Sequence, residues 1–146
     1  MTAKEYLLQV NGLDTTIEKL GNRIDELYTP LLSVTADPSR EHVDGSKNAT
    51  GNRDAIIDEI SKVRRTVTEL QLQAKLLRTR IQMEILDLDD PVFVEILTER
   101  YIEHKKLKDI QVPKECPYEY KYLCKRHNDA LLAFAAAHPE IKLIKP

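Results

Sequence analysis

Apolar residues recur at alternating spacings of four and three along the N-terminal part of the chain. The stripe runs through Tyr6, Val10, Leu13, Ile17, Leu20, Ile24, Leu27 and Leu31. This pattern predicts a coiled-coil helix. Thr2 and Glu5 have the spacing of a capping box at its start. Pro30 predicts its end near Tyr28, because proline lacks the amide hydrogen that a helix interior needs.

A second apolar stripe predicts another long helix, from about Asn52 to Asp87. It runs through Ile56, Ile60, Val63, Val67, Leu70, Ala74, Leu77, Ile81 and Leu88, and only Glu84 interrupts it. Residues 33–52, between the two stripes, contain turn sequences and predict a polar loop. A helix with one apolar stripe is not stable alone, so we expect pairing within a chain, between chains, or both. Residues 1–89 are therefore predicted to form a coiled-coil helical hairpin.

Residues 90–146 predict a smaller, separate module. Asp90 suits an N-cap and Pro91 suits the first helical position. Apolar spacing then predicts a first helix ending near Glu103 and a short second helix over 106–111. A third helix is predicted to open at Pro117, after a break over 112–116, and to end before residue 139. Tyrosines at 118, 120 and 122 alternate as in a strand, but the helical period continues beyond them and favours the helix.

These elements predict an all-α fold, with a long coiled-coil helical hairpin followed by a small C-terminal helix-turn-helix. Charge is divided unevenly between the two parts. Residues 1–98 carry 12 Lys and Arg against 17 Asp and Glu, a net of −5, whereas residues 99–146 carry 10 against 7, a net of +3. The basic C-terminal part can therefore meet a polyanion while the acidic remainder is repelled from it.

The third helix of a helix-turn-helix enters the major groove of DNA. The spacing turns one stripe of this helix toward the module's core: Leu123, His127, Ala130 or Leu131, and Phe134. The outward residues of this helix and two lysines of the short second helix are the predicted DNA contacts: Tyr118, Glu119, Lys121, Tyr122, Lys125, Arg126, Lys106 and Lys108. Lysine and arginine neutralise phosphates, and arginine also reads guanine. The alternative is a three-helix cap whose basic residues only face solvent.

The chain also resembles a family of small phage and prophage proteins. The resemblance is carried by the opening Met-Thr-Ala-Lys-Glu-Tyr-Leu, a Val-Asp-Gly-Ser segment at 43–46, Asp90-Pro91, Leu-Thr-Glu-Arg-Tyr-Ile at 97–102 and Arg-His-Asn-Asp-Ala-Leu at 126–131. This family is similar to the RinA and ArpU type of phage regulators, whose C-terminal part resembles the promoter-reading domain of sigma factors. The resemblance implies a late-gene transcription activator that acts with host RNA polymerase. The two prolines between Val112 and Pro117 depart from the family's glycine-containing turn.

Other chemistry is not indicated by the sequence. The spacing of Cys116, Cys124 and His127, with His104 nearby, matches no common zinc site. Nucleophile and phosphate-loop motifs do not occur, so we expect neither catalysis nor a cofactor.

No apolar run approaches the roughly 20 residues of a membrane-spanning helix, and the N-terminus does not resemble a signal peptide. We therefore expect a cytoplasmic protein that contacts no membrane. The helix-turn-helix and the coiled coil predict double-stranded DNA and further copies of this chain, as a homo-oligomer, as its partners. The resemblance implies a host cell and its RNA polymerase as a further partner. Two alternatives stay open: a structural or adaptor coiled-coil protein, and a small DNA-recognition subunit of a phage packaging machine.

Overall fold

The computed structural model describes residues 1–35 and 46–143, and the side chains of residues 1–32 and 52–143. This part of the chain contains helices and no strands, which confirms the all-α prediction. The α-helices are α1 (Ala3–Thr35), α2 (Ser46–Leu86), α3 (Pro91–Leu97) and α4 (Tyr120–Ala137). A π-helical turn, Thr98–Ile102, continues α3 directly, and 3-10 turns lie at Leu107–Asp109 and Pro139–Ile141. None of the described helices is both long and apolar enough to span a bilayer.

The first helix starts as predicted but does not end near Tyr28. Its capping box is formed: the Glu5 amide donates to Thr2 Oγ1 at 3.2 Å, and the Thr2 amide donates to the Glu5 carboxylate at 2.7 Å. The helix then continues through Pro30 to Thr35. The half-buried Leu31 extends the apolar stripe beyond the proline, and burying that stripe offsets the lost backbone hydrogen bond.

The polar loop predicted over 33–52 is shortened at both ends. α1 occupies residues up to Thr35, and α2 begins at Ser46 rather than near Asn52. The centre of that predicted loop, residues 36–45, lies outside the described residues.

The chain divides into two compact units, and the predicted boundary at Asp90 does not separate them. One unit consists of Met1–Leu13 and Ala74–Pro146, and the other of Asp14–Gln73. The first unit has a single main core, to which the start of α1, the end of α2 and the C-terminal helices all contribute. Its fully buried members are Leu7, Val10, Ile81, Ile85, Leu97, Tyr101, Ala130 and Phe134, with Tyr101 only 1% exposed. The first 13 residues and the second half of the sequence therefore fold together.

The second unit contains α1 from Asp14 to its C-terminal end and α2 from its start to Gln73. Its apolar stripes are mostly half-buried, and Ile60 is buried. The Arg64 guanidinium lies 5.3 Å from the centre of the Tyr28 ring and donates a hydrogen bond to its hydroxyl. This contact joins the two helical segments of the unit.

Glu84, which interrupts the second apolar stripe, is accommodated by hydrogen bonds. The Tyr6 hydroxyl donates to its two carboxylate oxygens at 2.8 and 3.1 Å. Burial of Tyr6 and this hydrogen bond raise the pKa of Tyr6 to about 12. The Glu84 backbone carbonyl accepts a hydrogen bond from His138 Nε2 at 2.8 Å. A polar residue in the stripe thus links the start of α1 and the end of α4 to α2.

His138 follows α4 and is buried beside Phe134. Its Nδ1 lies 3.0 Å from the Glu140 carboxylate. Burial favours the neutral imidazole, but hydrogen bonds to the Glu84 carbonyl and the Glu140 carboxylate outweigh it and raise the pKa of His138. The imidazole therefore holds its charged form more readily than a free histidine does, and it anchors the end of α4.

The prediction of a second helix over 106–111 in the C-terminal module is wrong, because only the 3-10 turn Leu107–Asp109 forms there. Ile110 and Val112 are both buried in a second small core with Ile96 and Leu123. The backbone is extended at Lys106 (φ −70°, ψ 145°) and at Ile110 (φ −82°, ψ 123°), so helical structure is limited to the three residues between them. The third helix also begins later than Pro117, since the Tyr118 amide donates to the Val112 carbonyl and closes the preceding loop.

Asp90 caps α3 as predicted, and its carboxylate has two partners. Oδ1 accepts from the Val92 amide at 2.9 Å, and Oδ2 accepts from Arg126 at 3.0 Å. We expect Asp90→Ala to lower the free energy of unfolding by about 1–2 kcal/mol, as measured by urea denaturation. Asp90→Asn keeps a capping oxygen and should cost less. Equal stabilities of the two variants would contradict this role of the carboxylate.

Candidate nucleic-acid interface

The first half of α4 presents two lysines to solvent. Lys121 and Lys125 are exposed, and their spacing of four places them on one face of the helix. The opposite face is anchored: Leu123, His127, Ala130 and Phe134 are buried, which confirms the predicted inner stripe, with Ala130 rather than Leu131 at its third position. A well-packed helix therefore fixes the backbone from which both lysine side chains project into solvent.

Tyrosines surround the lysine pair. The rings of Tyr118 and Tyr122 meet edge to face, with centres 4.8 Å apart, and 47% of Tyr122 is exposed. Tyr118 is half-buried against the second small core. Tyr120, which the sequence reasoning did not select, is 58% exposed, and its interaction with Cys124 raises the pKa of Tyr120. These rings offer apolar faces and hydroxyl groups beside the lysines.

Glu119 precedes α4 as its N-cap residue and is exposed, although its side chain makes no capping hydrogen bond. The predicted contacts Tyr118 and Glu119 therefore belong to the loop before the helix. A carboxylate at this position repels phosphate, so Glu119 suits contact with a base amino group better than contact with the DNA backbone.

Arg126 does not face outward as expected. Its guanidinium lies 4.6 Å from the centre of the Phe93 ring and donates to Asp90 at 3.0 Å. Only 23% of its side chain is exposed. The residue joins α4 to α3, and reading guanine would require it to leave both partners.

The two remaining predicted contacts flank the 3-10 turn. Lys106 and Lys108 are both exposed. Their neighbour Lys105 is engaged instead, since its ammonium lies 3.2 Å from the carboxylates of Glu99 and Glu103. The 3-10 turn packs against α4. Lys106 and Lys108 therefore belong to the same unit as the lysine pair of α4.

Neither a known protein family, nor a characterised protein, nor a solved structure matches this chain.

His127 lies beneath this surface and is held neutral. Tyr101 hydroxyl and His127 Nε2 are 2.8 Å apart, and both residues are buried. Burial first, then the positive charges of Arg100 and Lys4, lower the pKa of His127 to about 4. Burial raises the pKa of Tyr101 to about 12, so the hydroxyl keeps its proton. The sequence reasoning placed His127 in the core but did not identify Lys4 and Arg100 as its cationic neighbours.

The lowered pKa of His127 predicts loss of stability in acid. Below about pH 6.5 the unfolded chain binds a proton at this residue, whereas the folded chain does so only near pH 4. The free energy of unfolding should therefore fall across this window as pH decreases, by roughly 3 kcal/mol at most. His138 acts oppositely, because its raised pKa adds stability that is present below pH 6.5 and lost as pH rises.

Urea denaturation of wild type and His127→Gln across this pH range isolates the effect, because the glutamine keeps a hydrogen-bonding group beside Tyr101. The variant should lose less stability on acidification. An NMR titration midpoint of His127 at or above 6.5 would contradict the prediction.

The cysteines are free thiols in this structure. Cys116 is exposed and Cys124 is half-buried. Among the described residues, no three histidine, cysteine or acidic side chains are grouped so as to hold a metal ion.

Proposed function

We propose that the C-terminal part of the chain binds double-stranded DNA and that the protein regulates transcription. The observation that carries this proposal is the exposed lysine pair Lys121 and Lys125 on the outer face of α4, flanked by exposed tyrosines. A helix of this kind has the width of the major groove, where lysines meet phosphates and tyrosine faces meet thymine methyl groups. Lys106 and Lys108 add two further cations from the 3-10 turn.

The proposed binding mode differs from an ordinary helix-turn-helix. A single 3-10 turn and an irregular loop stand where the second helix was expected. In this arrangement α3 and its π-helical extension support α4, and the Arg126–Asp90 contact fixes the angle between α3 and α4. Arg126 then acts as a supporting residue, whereas the four lysines contact phosphates.

The expected affinity is modest and depends on salt. About four phosphate contacts predict roughly a hundredfold loss of affinity between 50 and 200 mM salt. Self-association would raise occupancy, and a homo-oligomer is part of the proposal. A contact with host RNA polymerase, which the resemblance implies, would also raise the occupancy of the DNA site.

Selection from genomic DNA tests this function. The full chain is incubated with fragments of the genome that encodes it, at about 100 mM salt, and the retained DNA is sequenced. A transcription regulator should enrich a small number of fragments that contain promoters. Uniform recovery of all fragments would contradict regulation, and recovery of none would contradict DNA binding.

A structural or adaptor role is the second candidate, and exposed apolar residues of α2 favour it. Leu76, Met83 and Leu86 are each more than half exposed, although they lie on a long helix of a charged protein. Apolar side chains in such a row commonly mark a protein contact. If the protein is an adaptor, the double substitution Leu76→Ser and Met83→Ser should abolish binding of its protein partner. The wild-type protein should then bind no DNA.

A further inference from the structure

A cavity of about 300 Å³ in the first unit collects positive charge from separate elements. Lys4 lies at the start of α1 and Arg100 lies in the π-helical turn. Lys106 is the residue just before the 3-10 turn Leu107–Asp109. Asn128 of α4 adds a side-chain amide, and His127 lies at one wall. The described residues that line the cavity include no carboxylate. Three cations therefore meet in one concave site without an acidic counterpart.

The acidic residues on either side of Arg100 in the sequence form ion pairs with Lys105. Glu99 and Glu103 both bind Lys105, at 3.2 Å each. Arg100 donates to the Lys105 backbone carbonyl at 3.3 Å, which positions its guanidinium without compensating its charge. Of the ion pairs between described residues, none uses Lys4 or Lys106. The cavity thus has a positive potential that favours anions.

The electrostatics of the neighbouring histidine agree with this potential. After burial, the charges of Arg100 and Lys4 are the causes that lower the pKa of His127. Both cations therefore lie close enough to the imidazole to act on its charge, and both line the cavity. Like charges held together cost stability, and a bound anion would remove that cost.

We propose that this cavity binds a phosphate group, with Lys4, Arg100 and Lys106 as its cationic contacts and Asn128 as a neutral donor. Arginine and lysine ammonium or guanidinium groups donate the charge-assisted hydrogen bonds that phosphate oxygens accept. The volume is roughly that of ten water molecules at about 30 Å³ each, enough for a phosphate and part of its hydration.

The phosphate belongs to the backbone of DNA bound along α4, and this assignment rests on the proposed function. Asn128 is two helical turns beyond Lys121 and shares its face, so the cavity adjoins the lysine pair. Lys106 belongs both to the cavity and to the predicted DNA contacts. A DNA strand that leaves α4 on this side would place its next phosphate at the cavity. Free phosphate is the other source of the same chemistry.

Lys4→Gln combined with Lys106→Gln tests the cavity, because both lysines are exposed and the change should leave the fold intact. Lys19→Gln combined with Lys62→Gln is the matched control, with the same change in charge on exposed residues of the other unit. Circular dichroism confirms that the variants are folded.

The first arm titrates inorganic phosphate into the full chain at constant ionic strength, with chloride as the reference. The NMR signal of the His127 imidazole should move with phosphate and saturate, and its pKa should rise because the anion offsets Arg100 and Lys4. In the cavity variant the dissociation constant for phosphate should increase by about fivefold or more, whereas the control should change by less than about twofold.

The second arm measures binding to a short DNA duplex over a range of salt. Loss of one phosphate contact should reduce the slope of the logarithm of the association constant against log salt by about 1 in Lys4→Gln, which keeps the predicted DNA contact Lys106, and leave the slope unchanged in Lys19→Gln. A reduced slope supports the cavity as a DNA phosphate site, even if free phosphate binds too weakly to be detected.

The two arms separate the failure of the cavity from the failure of the proposed function. Phosphate binding that the cavity variant loses, in a protein that binds no DNA, supports the phosphate site and overturns only its assignment to DNA. The cavity proposal is wrong if two results are found together. The His127 signal would respond to phosphate no differently than to chloride, and the salt dependence of DNA binding would be the same in Lys4→Gln as in Lys19→Gln. This conclusion holds whether or not α4 binds DNA.

Discussion

Phe134→Ala is expected to lower the free energy of unfolding by about 3–5 kcal/mol. Phe134 is fully buried, and its ring centre lies 6.0 Å from that of Tyr6 and 4.8 Å from that of His138. The truncation removes these contacts and leaves a cavity where α1, α2 and α4 meet. Because such a core cannot collapse onto the space completely, the cost exceeds the loss of apolar burial alone.

Urea denaturation measures this loss, and Leu132→Ala is the matched control. Leu132 lies on the same helix but is 49% exposed, so its truncation should change stability by no more than about 0.5 kcal/mol. If the two substitutions had similar effects, Phe134 would not lie in a shared core, and the described packing of the first unit would be wrong.

Reversing the charge of both lysines on α4 is expected to weaken DNA binding by at least about a hundredfold at 100 mM salt. In Lys121→Glu with Lys125→Glu, two phosphate contacts are lost and two carboxylates face the DNA backbone instead. Both side chains are exposed, so the fold should not change. Fluorescence anisotropy with a labelled duplex measures the effect.

The matched control is Lys19→Glu with Lys62→Glu. It changes the net charge equally, but on exposed residues of the other unit. At 100 mM salt the Debye length is about 10 Å, so distant charges contribute little and the control should lose less than about threefold. An equal loss in both variants would mean that net charge, rather than the α4 surface, governs binding.

The long helices and the inner stripe of α4 could be predicted from the sequence because they depend on local periodicity. Leu123, His127 and Phe134 are buried at the spacing that a helix requires. The capping box of Thr2 and Glu5 and the N-cap at Asp90 are also local, and both form as predicted. The end of α1 predicted at Pro30 is wrong, because the helix continues where its apolar stripe continues beyond the proline.

The remaining features depend on contacts between distant parts of the chain. Glu84 interrupts the apolar stripe of α2, but its carboxylate accepts a hydrogen bond from the Tyr6 hydroxyl, 78 residues away in sequence. The helical spacing predicts that Arg126 faces outward, but its guanidinium contacts the Asp90 carboxylate and the Phe93 ring. The predicted second helix is reduced to a 3-10 turn because the backbone becomes extended at Ile110, which packs in a core with Ile96 and Leu123.

The candidate site follows the same division. The exposure of Lys121 and Lys125 follows from helical periodicity, so the sequence could identify them. The cationic cavity could not be found in this way, because Lys4 and Arg100 are far apart in sequence and meet only when the start of α1 joins the C-terminal core.

The most direct test of DNA binding by this chain is the affinity of the full-length protein for a short duplex as a function of salt concentration. We expect the logarithm of the association constant to fall linearly with log salt, with a slope of about −3 to −4 from about four lysine contacts to phosphate. A slope near zero, or no binding at the lowest salt concentration, would contradict DNA binding through these lysines.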